Sequence, residues 1–283
     1  MSDDYLKNQT WVAADLETTG LNPWQHEIIE IGAVKFDLTG IIDKFQILIK
    51  PENKVDPRSR EIHQISNEEL EEHGVSLHEG LENFLSFIET HAIIFHNAPF
   101  DLSFLTHSLN RVGRTLPDNL YFDNLYLSRK YFKTRASHSL SSLRELLDID
   151  TGDHHRALSD AEATGLIFLE TIKHYYEKIN SHKKFRKFMR FYRKCSDFQL
   201  KLPRNFDKVQ TYFNRLIKSK GFVKVDYTDN SGKFFNHTIQ PLELMIFNQK
   251  IFIKSFINEE NATKLIPISS ATIHDHELGS IKF

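Results

Sequence analysis

Residues 10–16, TWVAADL, make an apolar run with one acid, Asp15, near its end, and a second acid, Glu17, follows at once after Leu16. The run reads as a buried strand closed by a Thr18-Thr19-Gly20 turn. In a strand, residues two apart face the same side, so Asp15 and Glu17 project together. Two like charges side by side in an apolar setting are unfavourable unless cations neutralise them. A chain with this strand must therefore fold so that other segments bring compensating partners to it. An acid-x-acid pattern is not specific by itself, and a solvated pair is its plain alternative.

The rest of the N-terminal half alternates strand and helix patterns. Residues 28–37 (IIEIGAVKFD) and 41–50 (IIDKFQILIK) read as strands joined at Thr39-Gly40, which gives a three-stranded antiparallel meander with 10–16. Residues 76–90 place Leu77, Leu81, Phe84, Leu85 and Ile88 at helical spacing. A short strand, 92–95 (AIIF), precedes a helix beginning near Pro99, where proline suits the first turn. Residues 139–147 and 157–179 complete the helices. The alternation indicates an α/β fold with a mixed central sheet.

At 283 residues the chain is long enough for two domains. Residues 183–283 hold 19 Lys+Arg and 9 Asp+Glu, a balance of +10, whereas the first 182 hold 17 and 29, a balance of −12. That asymmetry suggests different tasks for the two halves. The reading is a domain at 1–180, a basic helical linker at 181–208 and a smaller, mostly β domain at 209–283. Within the linker, HKKFRKFMRFYRK (182–194) spaces Phe185, Phe188, Phe191 and Tyr192 as one face of a helix, with a basic stripe suited to phosphates. No stretch approaches the roughly 20 apolar residues of a membrane span. The polar opening, MSDDYLKNQT, lacks the features of a signal peptide, so a cytoplasmic setting is expected. The single cysteine, Cys195, excludes an intrachain disulfide and a cysteine-built zinc site.

Two further patterns carry chemistry. HNAPFD (96–101) puts Asp101 about one turn past the end of strand 92–95, where open α/β sheets place functional groups, and offers Asn97 as a helix cap. HHRALSDAEATGLIF (154–168) sets His155 and Asp160 at the start of a long helix whose Ala157, Ala161 and Thr164 permit close packing.

Taken in order, DLETTG, IxEIGAV, HNAPFD and HRALSDA resemble the DnaQ-like, DEDDh family of 3′→5′ exonucleases, from about Trp11 to Phe168. VDPRSREIHQIS (55–66) is similar to the family's histidine loop, with Gln64 where glycine is usual, and SLSSLRELL (139–147) to the helix before the last motif. The resemblance implies an RNase H-like exonuclease fold. It implies Asp15, Glu17 and Asp160 as direct metal ligands, Asp101 holding a second metal largely through water, and His155 as general base; His154 takes no role. Carboxylate oxygens suit two Mg²⁺ or Mn²⁺ ions rather than zinc. Ions about 4 Å apart would generate the attacking hydroxide and stabilise the departing 3′ oxygen. A histidine with an ordinary pKa near 6.5 can take the water's proton. By the same resemblance Thr18, Leu21, His63, His96, Asn97 and Phe100 would line the pocket for the terminal nucleotide of a nucleic acid with a free 3′ end. Core packing is the plain alternative for Leu21 and Phe100.

Residues 209–275 resemble a WYL domain through VDYTDNSGK (225–233), TIQPLEL (238–244) and IFIKSF (251–256). That implies a small SH3- or Sm-like β barrel and a nucleic acid or nucleotide ligand. Ile251-Phe252-Ile253 replaces the name-giving Trp-Tyr-Leu, and Pro267 stands near the usual arginine. A packing or dimerisation module is the alternative. For the whole chain, a polymerase proofreading subunit is the same-class alternative. The other is an inactive nuclease fold that binds or regulates; it predicts loss of a catalytic acid, and all four acids and the histidine are present.

Overall fold

The computed structural model describes residues 9–53, 55, 57–132, 137–152, 155–177, 191–199, 206–229, 232–247, 250–276 and 279–282. The chain divides into two compact units, Met1–Phe198 and Gln199–Phe283.

In the first unit, β1 (Trp11–Thr18), β2 (Ile28–Asp37) and β3 (Gly40–Leu48) form the expected antiparallel meander. Helices α1 (Pro57–His63), α2 (Asn67–His73) and α3 (Leu77–Ile88) follow. Then come β4 (Ala92–Phe95), α4 (Ala98–Arg111), β5 (Leu120–Asp123), α5 (Asn124–Tyr131), α6 (Leu140–Leu146), α7 (Ala157–Glu177) and β6 (Arg193–Lys194). The sheet order is β3-β2-β1-β4-β5-β6, with β4 parallel to both β1 and β5 and the other pairs antiparallel. It is the mixed sheet that the alternating pattern predicts.

The alternation of β1 decides what each face meets. Val12, Ala14 and Leu16 join one core with Leu81, Phe84 and Ile88 of α3 and Leu102, Leu105 and Leu109 of α4. Trp11 and Ala13 join the other core with Phe168, Leu169 and Ile172 of α7. Asp15 and Glu17 continue this second series toward the start of α7. There the backbones nearly touch: a Cβ built on Gly32 would lie 2.1 Å from the Ala157 carbonyl carbon. Gly32 is the register partner of Asp15, so the one residue type that admits the helix sits opposite the first acid.

Three readings are corrected. The helix read over 182–194 lies largely outside the described residues, and its last two, Arg193 and Lys194, are the strand β6 because they add to the edge of β5. Asn97 occupies the N-cap position of α4 without a side-chain cap bond; its φ of 75° is left-handed, and its backbone N–H donates to Asp123 Oδ1 at 3.2 Å. The histidine loop at 55–66 holds helix α1, after which Gln64 has φ 60°, the conformation for which glycine is favoured.

The second unit opens with α8 (Phe206–Ser219), which buries Phe206, Val209, Tyr212 and Phe213. Its sheet has six strands, β7 (Val223–Thr228), β8 (Phe234–Phe247), β9 (Lys250–Ile257), β10 (Ala262–Pro267), β11 (Ala271–Asp275) and β12 (Gly279–Lys282). Their order is β10-β9-β8-β7-β11-β12 and every pair is antiparallel. β8 pairs with β9 along most of its length, interrupted by a register shift between Pro241 and Glu243. Among the described residues, no helix in either unit is long and apolar enough to cross a membrane.

Candidate active site

The strand β1 delivers Asp15 and Glu17, and the first turn of α7 delivers Asp160. One ligand oxygen from each lies within 4.8 Å of the other two. Asp101, in the first turn of α4 and 2% exposed, is the fourth acid. Its charge acts on both Asp15 and Glu17, and its own carboxyl is reached by the Leu16 backbone N–H. Asp15, Glu17 and Asp160 therefore converge, and Asp101 lies near enough for its charge to act on two of them.

Their electrostatics show what the cluster lacks. Burial, followed by the charges of Asp101, Asp160, Glu17 and Glu30, holds the Asp15 carboxyl well above the usual range. Burial, then Asp160, Glu30 and Asp101, pushes Glu17 up to about 9, with Arg156 opposing. Asp101 is raised well above its ordinary value, chiefly by burial and then by Asp123, against backbone N–H groups that lower it. Carboxylates in this state take up protons or cations. The donor set is all oxygen, which fits a hard divalent ion.

His155 stands immediately before α7, exposed, with a left-handed φ of 62°. Its charge acts on His63, so the two imidazoles are neighbours. His63 is 2% exposed, and its Nδ1 accepts the Ile65 backbone N–H at 3.0 Å. Burial holds its pKa down at about 4. Its Nε2 is then a buried N–H with no partner among the described residues.

The other predicted substrate residues are less uniform. Thr18 is buried and donates Oγ1 to the Gly20 carbonyl at 2.7 Å, shaping the turn. Ser59 of α1 donates to the Thr19 carbonyl at 2.9 Å and ties the histidine helix to that turn. Leu21 is exposed there. Phe100 faces inward, its ring 5.1 Å from Phe104 and packed on the core. His96 bonds the His138 carbonyl through Nε2 at 3.1 Å.

Three functional residues carry no role in the sequence reading. Glu30, fully buried on β2, receives Arg156 Nη2 at 2.8 Å, the Ala157 backbone N–H at 2.9 Å and Gln46 Nε2 at 2.7 Å. This anchors the segment between His155 and Asp160. Arg144 of α6 donates Nη1 to Asp160 Oδ1 at 3.0 Å. An acid inside the apolar run IIEIGAV was a readable signal for Glu30. Its partner Arg156 lies 126 positions away, so the pairing was not.

Comparison with known proteins bears on the same segment. The exonuclease family model RNase_T matches residues 12–168. The chain is 42% identical over 171 residues to the DNA polymerase III PolC-type of Thermotoga petrophila, covering 60% of this chain and 12% of that one. It is 32% identical over 173 residues to that of Bacillus cereus, covering 61% and 12%. The chain thus spans about one eighth of the length of these curated relatives. Among solved structures, the nuclease domain of 3′hExo, a DEDDh family member bound to rAMP, superposes with a TM-score of 0.53 at 18% identity, covering 61% of this chain and 94% of that one. At that identity the likeness speaks to the fold.

Proposed function

The chain belongs to the exonuclease family, and from that premise we propose that it is a metal-dependent 3′→5′ exonuclease that hydrolyses phosphodiester bonds from a free 3′ end. The observation that carries the reading is the convergence of Asp15, Glu17 and Asp160 oxygens within 4.8 Å, in surroundings that leave the acids short of positive charge. Asp15, Glu17 and Asp160 would hold Mg²⁺ or Mn²⁺ directly, and Asp101 a second ion through water. Bound divalent ions activate the attacking water and stabilise charge on the departing 3′ oxygen.

The chain's own groups supply the rest. The exposed imidazole of His155 accepts the water's proton. Thr18, Leu21, His63, His96, Asn97 and Phe100 receive the terminal nucleotide: the turn at Thr18 offers its backbone, and Leu21 presents an exposed apolar wedge to the last base. His63, neutral at physiological pH, offers its unpartnered Nε2–H as a donor. DNA is the first substrate to test, because relatives similar in this segment are DNA polymerases.

For the second unit we propose a WYL-like, SH3- or Sm-like fold that adds affinity for nucleic acid or a nucleotide ligand. Phe235 supports this, with Lys233 at 5.0 Å and Lys264 at 5.1 Å from its ring centroid, a pairing of aromatic face and cations that suits a phosphate-linked base. The one cysteine, buried and unpaired as a disulfide, fits a cytoplasmic setting.

The test is digestion of 3′- and 5′-labelled DNA and RNA oligonucleotides with Mg²⁺, Mn²⁺ or chelator. Stepwise shortening from the 3′ end that chelator stops is expected. Shortening from the 5′ end, or cleavage that persists in chelator, overturns the reading.

A further inference from the structure

Arg144 is buried to 3% exposure on α6, directly after the fully buried Leu143. Its guanidinium spans two acceptors. Nη1 donates to Asp160 Oδ1 at 3.0 Å and Nη2 to the Gly152 carbonyl at 3.1 Å. Its Nε is buried without a partner among the described residues. Burying a guanidinium at this depth is costly in desolvation, and an orphaned donor adds to that cost. An apolar side chain of like volume would serve packing at least as well, so packing does not account for an arginine here.

Its two contacts do. Asp160 must stand within 4.8 Å of the oxygens of Asp15 and Glu17, which repel it. One prong of the planar guanidinium on Oδ1 restrains that carboxylate and offsets its charge, while the other, on the Gly152 carbonyl, keeps the guanidinium itself from turning. The second prong holds Gly152, which has a left-handed φ of 86° in the loop leading to His155. Thr151 secures the same loop by donating Oγ1 to the Ser159 carbonyl at 2.9 Å.

We propose that Arg144 is a positioning residue that holds Asp160 against the repulsion of Asp15 and Glu17, in the orientation in which the three accept a divalent ion. This rests on reading the acids as a metal site, and the experiment separates the two claims.

Mn²⁺ binding to the full chain is measured by calorimetry without substrate, for wild type, Arg144→Met, Arg144→Lys and Asp160→Ala, with circular dichroism in chelator as the fold control. Partners of ligating carboxylates commonly contribute about 10–100-fold in metal affinity, so Arg144→Met is expected to weaken Mn²⁺ binding by that factor with its dichroism unchanged. Cleavage by Arg144→Met should recover as Mn²⁺ is raised, which a packing defect would not show. Arg144→Lys keeps the charge but cannot span both acceptors, and should fall between. Binding by Arg144→Met as tight as wild type, or tighter, as for a cation that merely competes with the metal, overturns the proposal. If Arg144→Met does not fold, wild-type affinity in Arg144→Lys overturns it equally. If wild type shows no Mn²⁺ binding that Asp160→Ala removes, the metal-site reading fails and takes this proposal with it.

Discussion

In the first unit, β1 carries two carboxylates inward, and Glu30, Asp101 and Arg144 are buried around them. In the second, the described interior is apolar, with Val225, Tyr227, Ile239, Leu244, Ile253 and Ile273 among its residues, and Ser255 is fully buried there. Polar side chains there gather instead on the outside. His274 bonds Asp226 at 2.8 Å and Ser280 at 3.0 Å, a chain of contacts across neighbouring strands that remains partly exposed. Burying charge is costly unless it is matched, and water matches it at a surface. The first sheet thus carries carboxylates that call for cations, whereas the described ion pairs of the second are matched by their neighbours and by water. Substitutions should separate the two kinds of polar cluster, by altering function without damage in one case and by altering little in the other.

The largest effect is expected at Asp15. Asp15→Asn should lower cleavage by about a thousandfold or more, since ligands that act as one unit fail together. The same change replaces a carboxyl whose charged form is disfavoured by burial and by its acidic neighbours, so the metal-free protein should melt at an equal or higher temperature. Cleavage within tenfold of wild type would show that the acids of β1 are not the site. Next is Gly32→Ala. Its Cβ would meet the Ala157 and Leu158 backbone at 2.1–2.2 Å, and backbone cannot yield as a side-chain tip can. Overpacking of this kind costs about 1–3 kcal/mol or more, and it would push Asp160 away from Asp15. Urea denaturation should give a lower midpoint, together with weaker Mn²⁺ binding. A midpoint unchanged from wild type would mean that α7 does not need this close approach.

How much of this was legible follows the same division. A strand that is apolar on both faces reads directly, and β2 and β4 have the bounds expected of 28–37 and 92–95. The acids were legible because an apolar strand makes them conspicuous. Helices α1 and α2 were not; each has seven residues, and α2 buries Leu70 alone, so no apolar period exists to read. β5 and α5 escaped notice because the chain passes from one to the other at Asp123, whose carboxylate caps the helix through Leu125 and Tyr126. In α8 the spacing of Phe206, Val209, Tyr212 and Phe213 was available, but the strand patterns beyond it dominated the reading of that region. Arg144 lay among the leucines of SLSSLRELL, where only the fold brings it to Asp160, 16 positions on.

A pH measurement probes buried polarity outside the acids. Burial holds His96 down at about 4 from 6.5, with Arg129 and His138 adding to the effect and the bond to the His138 carbonyl opposing it. The folded form therefore keeps this imidazole neutral while the unfolded chain protonates below 6.5. Stability attributable to His96 is full above about 6.5 and is lost as pH falls toward 4. His96→Gln should flatten that decline by about 1–3 kcal/mol across the window. Asp15 and Glu17, whose carboxyls are raised, act with the opposite sign but are common to both proteins and cancel in the difference. Parallel stability–pH curves would place His96 in contact with water.

The smallest effect tests the other half of the comparison. His274→Gln cuts the link between Asp226 and Ser280 in the second sheet. The Asp226 carboxyl is held below its ordinary value, first by its bond to His274, so on proximity alone the pair resembles a functional dyad. Yet His274 and Asp226 are 36% and 26% exposed at the side chain, and Asn236 also bonds Asp226, so solvent and a neighbour remain to satisfy the carboxylate. A pair in that setting contributes about 0–1 kcal/mol, with rapid screening by salt. Denaturant midpoints for His274→Gln and wild type should therefore nearly coincide, and Mn²⁺-dependent cleavage should be unchanged. A loss of cleavage comparable to that of Asp15→Asn would mean that polar clusters in the two sheets serve one reaction, and that exposure is no guide here to which of them carries chemistry.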